Sequence, residues 1–142
     1  MREIDEIIVH TSFTRPSMDV GADWIRDIHV HQNGWSAIGY HEILRRNGTV
    51  ELGRPAEKIG AHTRGHNRNS YGMCLIGGMS EDGNPDSNYT FRQLQTLYGR
   101  LQWNVQRFGI TKISGHRDYA NKDCPCFDIK EFFNLDDFLK AN

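Results

Sequence analysis

Apolar residues fall along this chain in two rhythms. Short runs at Glu6–His10 (EIIVH), Ile38–Arg46 (IGYHEILRR), Thr49–Gly53 (TVELG), Tyr71–Gly78 (YGMCLIGG) and Lys112–His116 (KISGH) read as strands. Asn47-Gly48 joins the second run to the third, and that dipeptide between strand-like segments is the strongest short hairpin signal. The other rhythm is helical. A helix is expected to start near Ser17 or Asp19, carry Trp24, Ile25 and Ile28 on one face, and stop at Asn33-Gly34. Thr90, with Gln93 as its capping-box partner, opens a helix whose Leu94, Leu97, Leu101, Val105 and Phe108 recur at spacings of three and four until Gly109. Asp128 with Glu131 is expected to cap a last helix bearing Ile129, Phe132, Phe133 and Phe138. Strands alternating with helices predict an α/β fold: a single domain, residues 1–142, with a central mixed β-sheet of about five strands flanked by helices.

Composition narrows the function classes. The chain has 142 residues, enough for one sizeable core, and is 37% hydrophobic and 25% charged, as ordinary globular proteins are. A formal net charge of −1 gives no global pull toward nucleic acid or anionic lipid. No apolar run approaches the roughly 20 residues a bilayer-spanning helix needs. The acidic N-terminus, MREIDEIIVH, lacks the layout of a secretory signal, so synthesis in the cytoplasm is expected. Three cysteines, Cys74, Cys124 and Cys126, are too few for a disulfide scaffold, and Cys74, inside an apolar run, reads as a small core residue.

The chemistry concentrates in Gly115–Asp128, GHRDYANKDCPCFD. His10 and His116 are each the first ligand-capable residue after an apolar strand. If those strands are neighbours, both imidazoles emerge at one sheet edge, where α/β sheets commonly bind ligands. Cys124 follows His116 on a loop able to turn back toward that edge. Two histidines and a cysteinate suit Zn2+ and leave a fourth position open, the arrangement of catalytic sites. Cys126 is a rival ligand, and the residues alone do not separate the two cysteines. His29 and His31, two apart on a helix, point to different sides and read as surface or rim groups.

IIVHTSFT, GWSAIGYHEILRRNGTVELGR, GAHTRGHNRNSYGMCLIGG and GHRDYANKDCPCFD together resemble the zinc-dependent N-acetylmuramoyl-L-alanine amidases, a family that includes phage lysozymes and has the animal peptidoglycan recognition proteins as more distant kin. The likeness runs from about Glu6 to Phe133, with the motifs in the same order. It implies His10, His116 and Cys124 as metal ligands, so Cys124 rather than Cys126, and Tyr40 and Lys122 as catalytic groups. The implied reaction is hydrolysis of the amide between N-acetylmuramic acid and L-alanine in peptidoglycan. Zinc-activated water attacks there, Lys122 stabilises the oxyanion, and Tyr40 holds or accepts a proton. No HExxH helix supplies a glutamate base, which makes the tyrosine and lysine roles more necessary. His62 in GAHTRGHN is expected on the groove wall, with Thr63, Asn67 and Trp35 as further substrate-binding candidates. His41, alternating with Tyr40 on its strand, faces away. Asp118 or a backbone carbonyl is expected to orient His116.

A monomer is expected, and the resemblance implies a chain that accumulates in a host cytoplasm and reaches the cell wall once the membrane is permeabilised. Two alternatives accompany it: a peptidoglycan-binding module without catalysis, and an inhibitor of a phage RNA polymerase. The latter is a second role of phage lysozymes in this family that involves the N-terminal end, which is several residues shorter here.

Overall fold

The structure, a computed structural model, describes residues 1–139. Strands β1 (Glu6–Thr11), β2 (Glu42–Leu44), β3 (Val50–Leu52), β4 (Ser70–Leu75) and β5 (Lys112–Gly115) form one mixed sheet in the order β3-β2-β4-β1-β5. Its neighbours run parallel except at the β2–β3 hairpin. Asn47-Gly48 makes that hairpin as expected, with Gly48 at φ 87 and its N–H donating to the Arg45 carbonyl at 2.9 Å. The second run is a strand only from Glu42. Tyr40 and His41 precede it, their carbonyls taking the N–H groups of Arg54 and Gly53 at 2.8 and 2.9 Å.

Alternation along the strands divides the core in two. Ile7 and Val9 of β1, Tyr71, Met73 and Leu75 of β4, Leu44 and Ile113 pack under the long helix α2 (Phe91–Phe108), against its buried Leu97, Leu101 and Val105. Complete burial of each such side chain stabilises by about 1.5–3 kcal/mol. On the opposite face Ile43, Cys74 and Ile76 pack with Ile38 and with Ala22 and Ile25 of the short helix α1 (Ala22–Arg26). Cys74 is thus the core residue expected. The capping box of α2 is present in both directions, Thr90 Oγ1 accepting from Gln93 N at 3.1 Å and Gln93 Oε1 from Thr90 N at 2.9 Å. Gly109, at φ 69, ends the helix. Fully buried Glu42 ties α2 to the sheet, accepting from Arg100 Nε at 2.6 Å, Tyr71 Oη at 2.7 Å and Asn104 Nδ2 at 2.8 Å.

Two helix expectations need correction. α1 starts at Ala22, not near Ser17 or Asp19, because its end is capped from a distant strand: Glu51 Oε1 accepts the Ala22 N–H at 2.8 Å, while Asp19 pairs with Arg45 at 3.1 Å. It continues as a π-helical stretch, Asp27–Gln32, to the expected stop at Gly34 (φ 75), and Trp24 is exposed while Ile25 is buried. The last helix is two short ones, α3 (Ile129–Phe132) and α4 (Asp136–Leu139), broken at extended Phe133. Ile129 and Phe138 both enter the core beneath α2. About two and a half turns separate them, so one straight helix would place them on opposite faces. Asp128 caps α3, accepting from Lys130 N at 2.9 Å. Among the described residues no helix is long and apolar enough to cross a membrane.

His41 is 1% exposed, accepts the Gly72 N–H at Nδ1 (3.0 Å) and lies 2.8 Å from the Lys58 carbonyl at Nε2. Burial drives its pKa from 6.5 down to about 4, with the Lys58 carbonyl opposing and the Arg2 charge adding to the shift. Between those values the unfolded chain binds a proton that the folded chain refuses. Its contribution to stability is therefore complete above pH 6.5 and lost as pH falls toward 4, about 3 kcal/mol in total. Urea denaturation at pH 7 and pH 4.5 is expected to register this loss in the wild type and a smaller one in His41→Asn. Equal losses would refute the assignment.

Candidate metal centre

β1 and β5 lie side by side in parallel with Val9 opposite Gly115, so the next residue on each is a histidine. His10 and His116 therefore leave the same edge of the sheet, their ring centroids 4.7 Å apart. From His116 the chain makes a 3-10 turn, His116–Asp118, and a loop that folds back. Arg117 N–H donates to the Cys124 carbonyl at 2.7 Å, and Thr11 N–H donates to Cys124 Sγ at 3.2 Å. One ligand atom each from His10, His116 and Cys124 thus lies within 4.8 Å of the others, with His10 Nδ1 3.9 Å from Sγ. Cys126 is turned elsewhere: its backbone is left-handed (φ 77), and its thiol meets the Gly78 and Asp123 carbonyls at 3.2 and 3.1 Å. The trio fits a metal ion by its donors. Burial, then the His62, His116 and Lys122 charges, hold His10 well below the ordinary histidine range. Burial and Lys122 lower His116 too, so both rings are neutral at pH 7, the form in which an imidazole can bind a metal ion. Burial pushes the Cys124 thiol up to about 11 against the opposing Thr11 N–H and Lys122, so a cation entering here displaces its proton.

A cleft of about 480 Å³ lies over this trio, lined by His116, Cys124, Lys122, Tyr40, His29 and Trp35 among others. A second lobe of about 460 Å³ shares Trp35, His62, His116 and Lys122 with it and extends past Thr63, Arg64, Asn67 and Tyr119. The Tyr40 ring is 5.1 Å from that of His10. Burial, with the Cys74 and Cys124 thiols beside it, raises the phenol well above 10, so the chain alone keeps Tyr40 protonated.

The expected groove residues divide. Trp35 is 39% exposed, stands against His29 at 4.5 Å, and lines both lobes. Thr63 and Asn67 line the second lobe while Thr63 Oγ1 and Asn67 Oδ1 are engaged by neighbouring protein groups. Asn67 Oδ1 accepts the His62 and Thr63 N–H groups, each at 2.9 Å, and Thr63 Oγ1 is 3.2 Å from His10 Nε2. His62 lines both lobes while its Nδ1 lies 2.8 Å from His10 Nε2. Asp118 accepts the Gly115 N–H at 3.0 Å, fixing the backbone that presents His116 and not its ring. His29 is a rim group: Nδ1 accepts the Gly39 N–H at 2.9 Å. Sequence reading missed Tyr119, whose ring stacks on His66 at 3.7 Å and whose hydroxyl donates to buried Glu6 at 2.5 Å. Period-two alternation from His10 back to Glu6 was the available signal that Glu6 shares this face.

A family model described as N-acetylmuramoyl-L-alanine amidase matches residues 1–127, a span containing the whole trio. The chain is 42% identical to an endolysin of Klebsiella phage KP32, covering 99% of this chain and 93% of that one. It is 39% identical to the endolysin of Escherichia phage T7, covering 97% and 91%. Among solved structures, the N-acetylmuramoyl-L-alanine amidase LysC from Clostridium intestinale superposes with a TM-score of 0.80 at 27% identity, covering 98% of this chain and 87% of that one. Sequence likeness over nearly the full length and a shared fold together make the chain a member of the N-acetylmuramoyl-L-alanine amidase family.

Proposed function

We propose that the chain is a single zinc amidase domain of the phage-endolysin type. It hydrolyses the amide between the lactyl group of N-acetylmuramic acid and L-alanine in peptidoglycan. The observation that carries this reading is the meeting of His10, His116 and Cys124 at the floor of a groove that Lys122 and Tyr40 also line. His10, His116 and Cys124 would hold Zn2+, which when bound supplies Lewis acidity at the scissile carbonyl and a nucleophilic water near neutral pH.

The chain's own groups do the rest. Hydrolysis adds hydroxide to the carbonyl carbon and a proton to the alanine nitrogen. Lys122 Nζ, a compact cation, faces the oxygen on which negative charge develops. Tyr40 Oη donates a hydrogen bond to the reacting centre and relays the proton: it takes one from the attacking water as it gives its own to the departing amine, so the phenol ends protonated as it began. Trp35 offers an apolar face to sugar or peptide, and the lobe beyond Thr63 and Asn67 accommodates the stem. The likeness to phage endolysins supports a chain made in the host cytoplasm that acts on the wall after membrane permeabilisation.

Purified sacculi incubated with zinc-loaded protein are expected to release new L-alanine amino termini. A chelator is expected to abolish that release while far-UV circular dichroism stays unchanged, because the two apolar clusters do not depend on the metal site. Zinc should then restore activity. Sacculi bound without new amino termini would refute catalysis, and unfolding on chelation would make the zinc structural.

A further inference from the structure

The hydrogen bonds behind His10 have one consistent direction. Ser70, fully buried, donates its hydroxyl proton to the His66 carbonyl at 2.6 Å, and His62 Nε2 lies 3.4 Å from Ser70 Oγ. A ring nitrogen facing a hydroxyl whose proton is already committed carries the proton itself. His62 is then Nε2–H, and a neutral imidazole protonated there has a bare Nδ1. That Nδ1 is 2.8 Å from His10 Nε2, so His10 donates, with Thr63 Oγ1 3.2 Å from the same nitrogen as a second partner. His10 is left with its lone pair at Nδ1, the atom 3.9 Å from Cys124 Sγ. The reverse direction fails at both ends. It would aim a proton at the other two ligands and leave two acceptors facing each other at Ser70.

Resting on the zinc reading above, we propose that His62 is a positioning residue that holds His10 in the Nε2–H tautomer with Nδ1 aimed at the metal, and that Ser70 sets the tautomer of His62. Histidine ligands usually give their second N–H to a carboxylate, a carbonyl or water. Here another imidazole takes it. The backbone is shaped for that ring: Asn67 pins the His62 N–H at 2.9 Å, and a Cβ at Gly72 would stand 2.5 Å from the His62 ring.

Zinc affinity by competition with a chromogenic chelator tests this without reference to catalysis. His62→Ala is expected to weaken zinc binding about 10–100-fold, as loss of an outer-shell partner does. His62→Asn, whose side-chain oxygen falls near the Nδ1 position, is expected to recover most of it. Long-range proton–nitrogen NMR of the metal-free wild type, which needs no variant to fold, is expected to find both His10 and His62 protonated at Nε2. Either ring protonated at Nδ1, or wild-type affinity in His62→Ala, would overturn the proposal. Weakened binding in His62→Ala beside a wild type that cleaves no sacculi would support positioning and overturn the amidase reading alone. A wild type that takes up no zinc would overturn both.

Discussion

Cys124→Ser is expected to lose zinc and, with it, cleavage of peptidoglycan. The thiol is one of three donors, is buried, and accepts the Thr11 N–H at 3.2 Å. A serine hydroxyl is shorter, harder and far less acidic, so the site keeps two imidazoles and a poor third ligand. The fall in affinity should exceed the roughly 10–100-fold that an outer-shell loss costs. Cys126→Ser is the matched control. Its thiol meets the Gly78 and Asp123 carbonyls, and the variant should retain stoichiometric zinc. Metal content by atomic absorption decides between them: zinc retained by Cys124→Ser and lost by Cys126→Ser would invert the ligand assignment.

Lys122→Ala is expected to keep its zinc and lose catalysis. The ammonium lines both lobes of the groove, and its charge lowers the pKa of His10, His116 and Cys124. On the proposed mechanism it would stabilise charge that appears on the substrate oxygen only as the amide is attacked. Removing one such donor typically lowers kcat by about 10²–10³-fold, so the effect should fall on kcat with KM little changed. A variant with wild-type kcat and a raised KM would make Lys122 a binding group instead.

These variants depend differently on what sequence makes legible. Spacing alone marks β1 and β5 as strand-like runs with a histidine at the end, although in the fold burial continues through His10 and Thr11. The α2 capping box and the Gly48 hairpin turn are equally local, each written within four or five residues. The choice of Cys124 over Cys126 came from family likeness, not from spacing. The break after α3 and the late start of α1 depended on core positions and a carboxylate contributed by distant segments.

The sequence by itself thus determined the elements, the two strand-end histidines, and the cysteine loop that could complete a metal site. Tertiary structure decided that β1 lies beside β5 and that Cys124 meets Thr11, 113 residues away in the chain. It also turned His62 toward His10. The physical reason is range: hydrogen-bonding and apolar periodicities act over a few residues. A ligand set and the groups behind it are assembled by sheet order, which no short stretch of chain encodes.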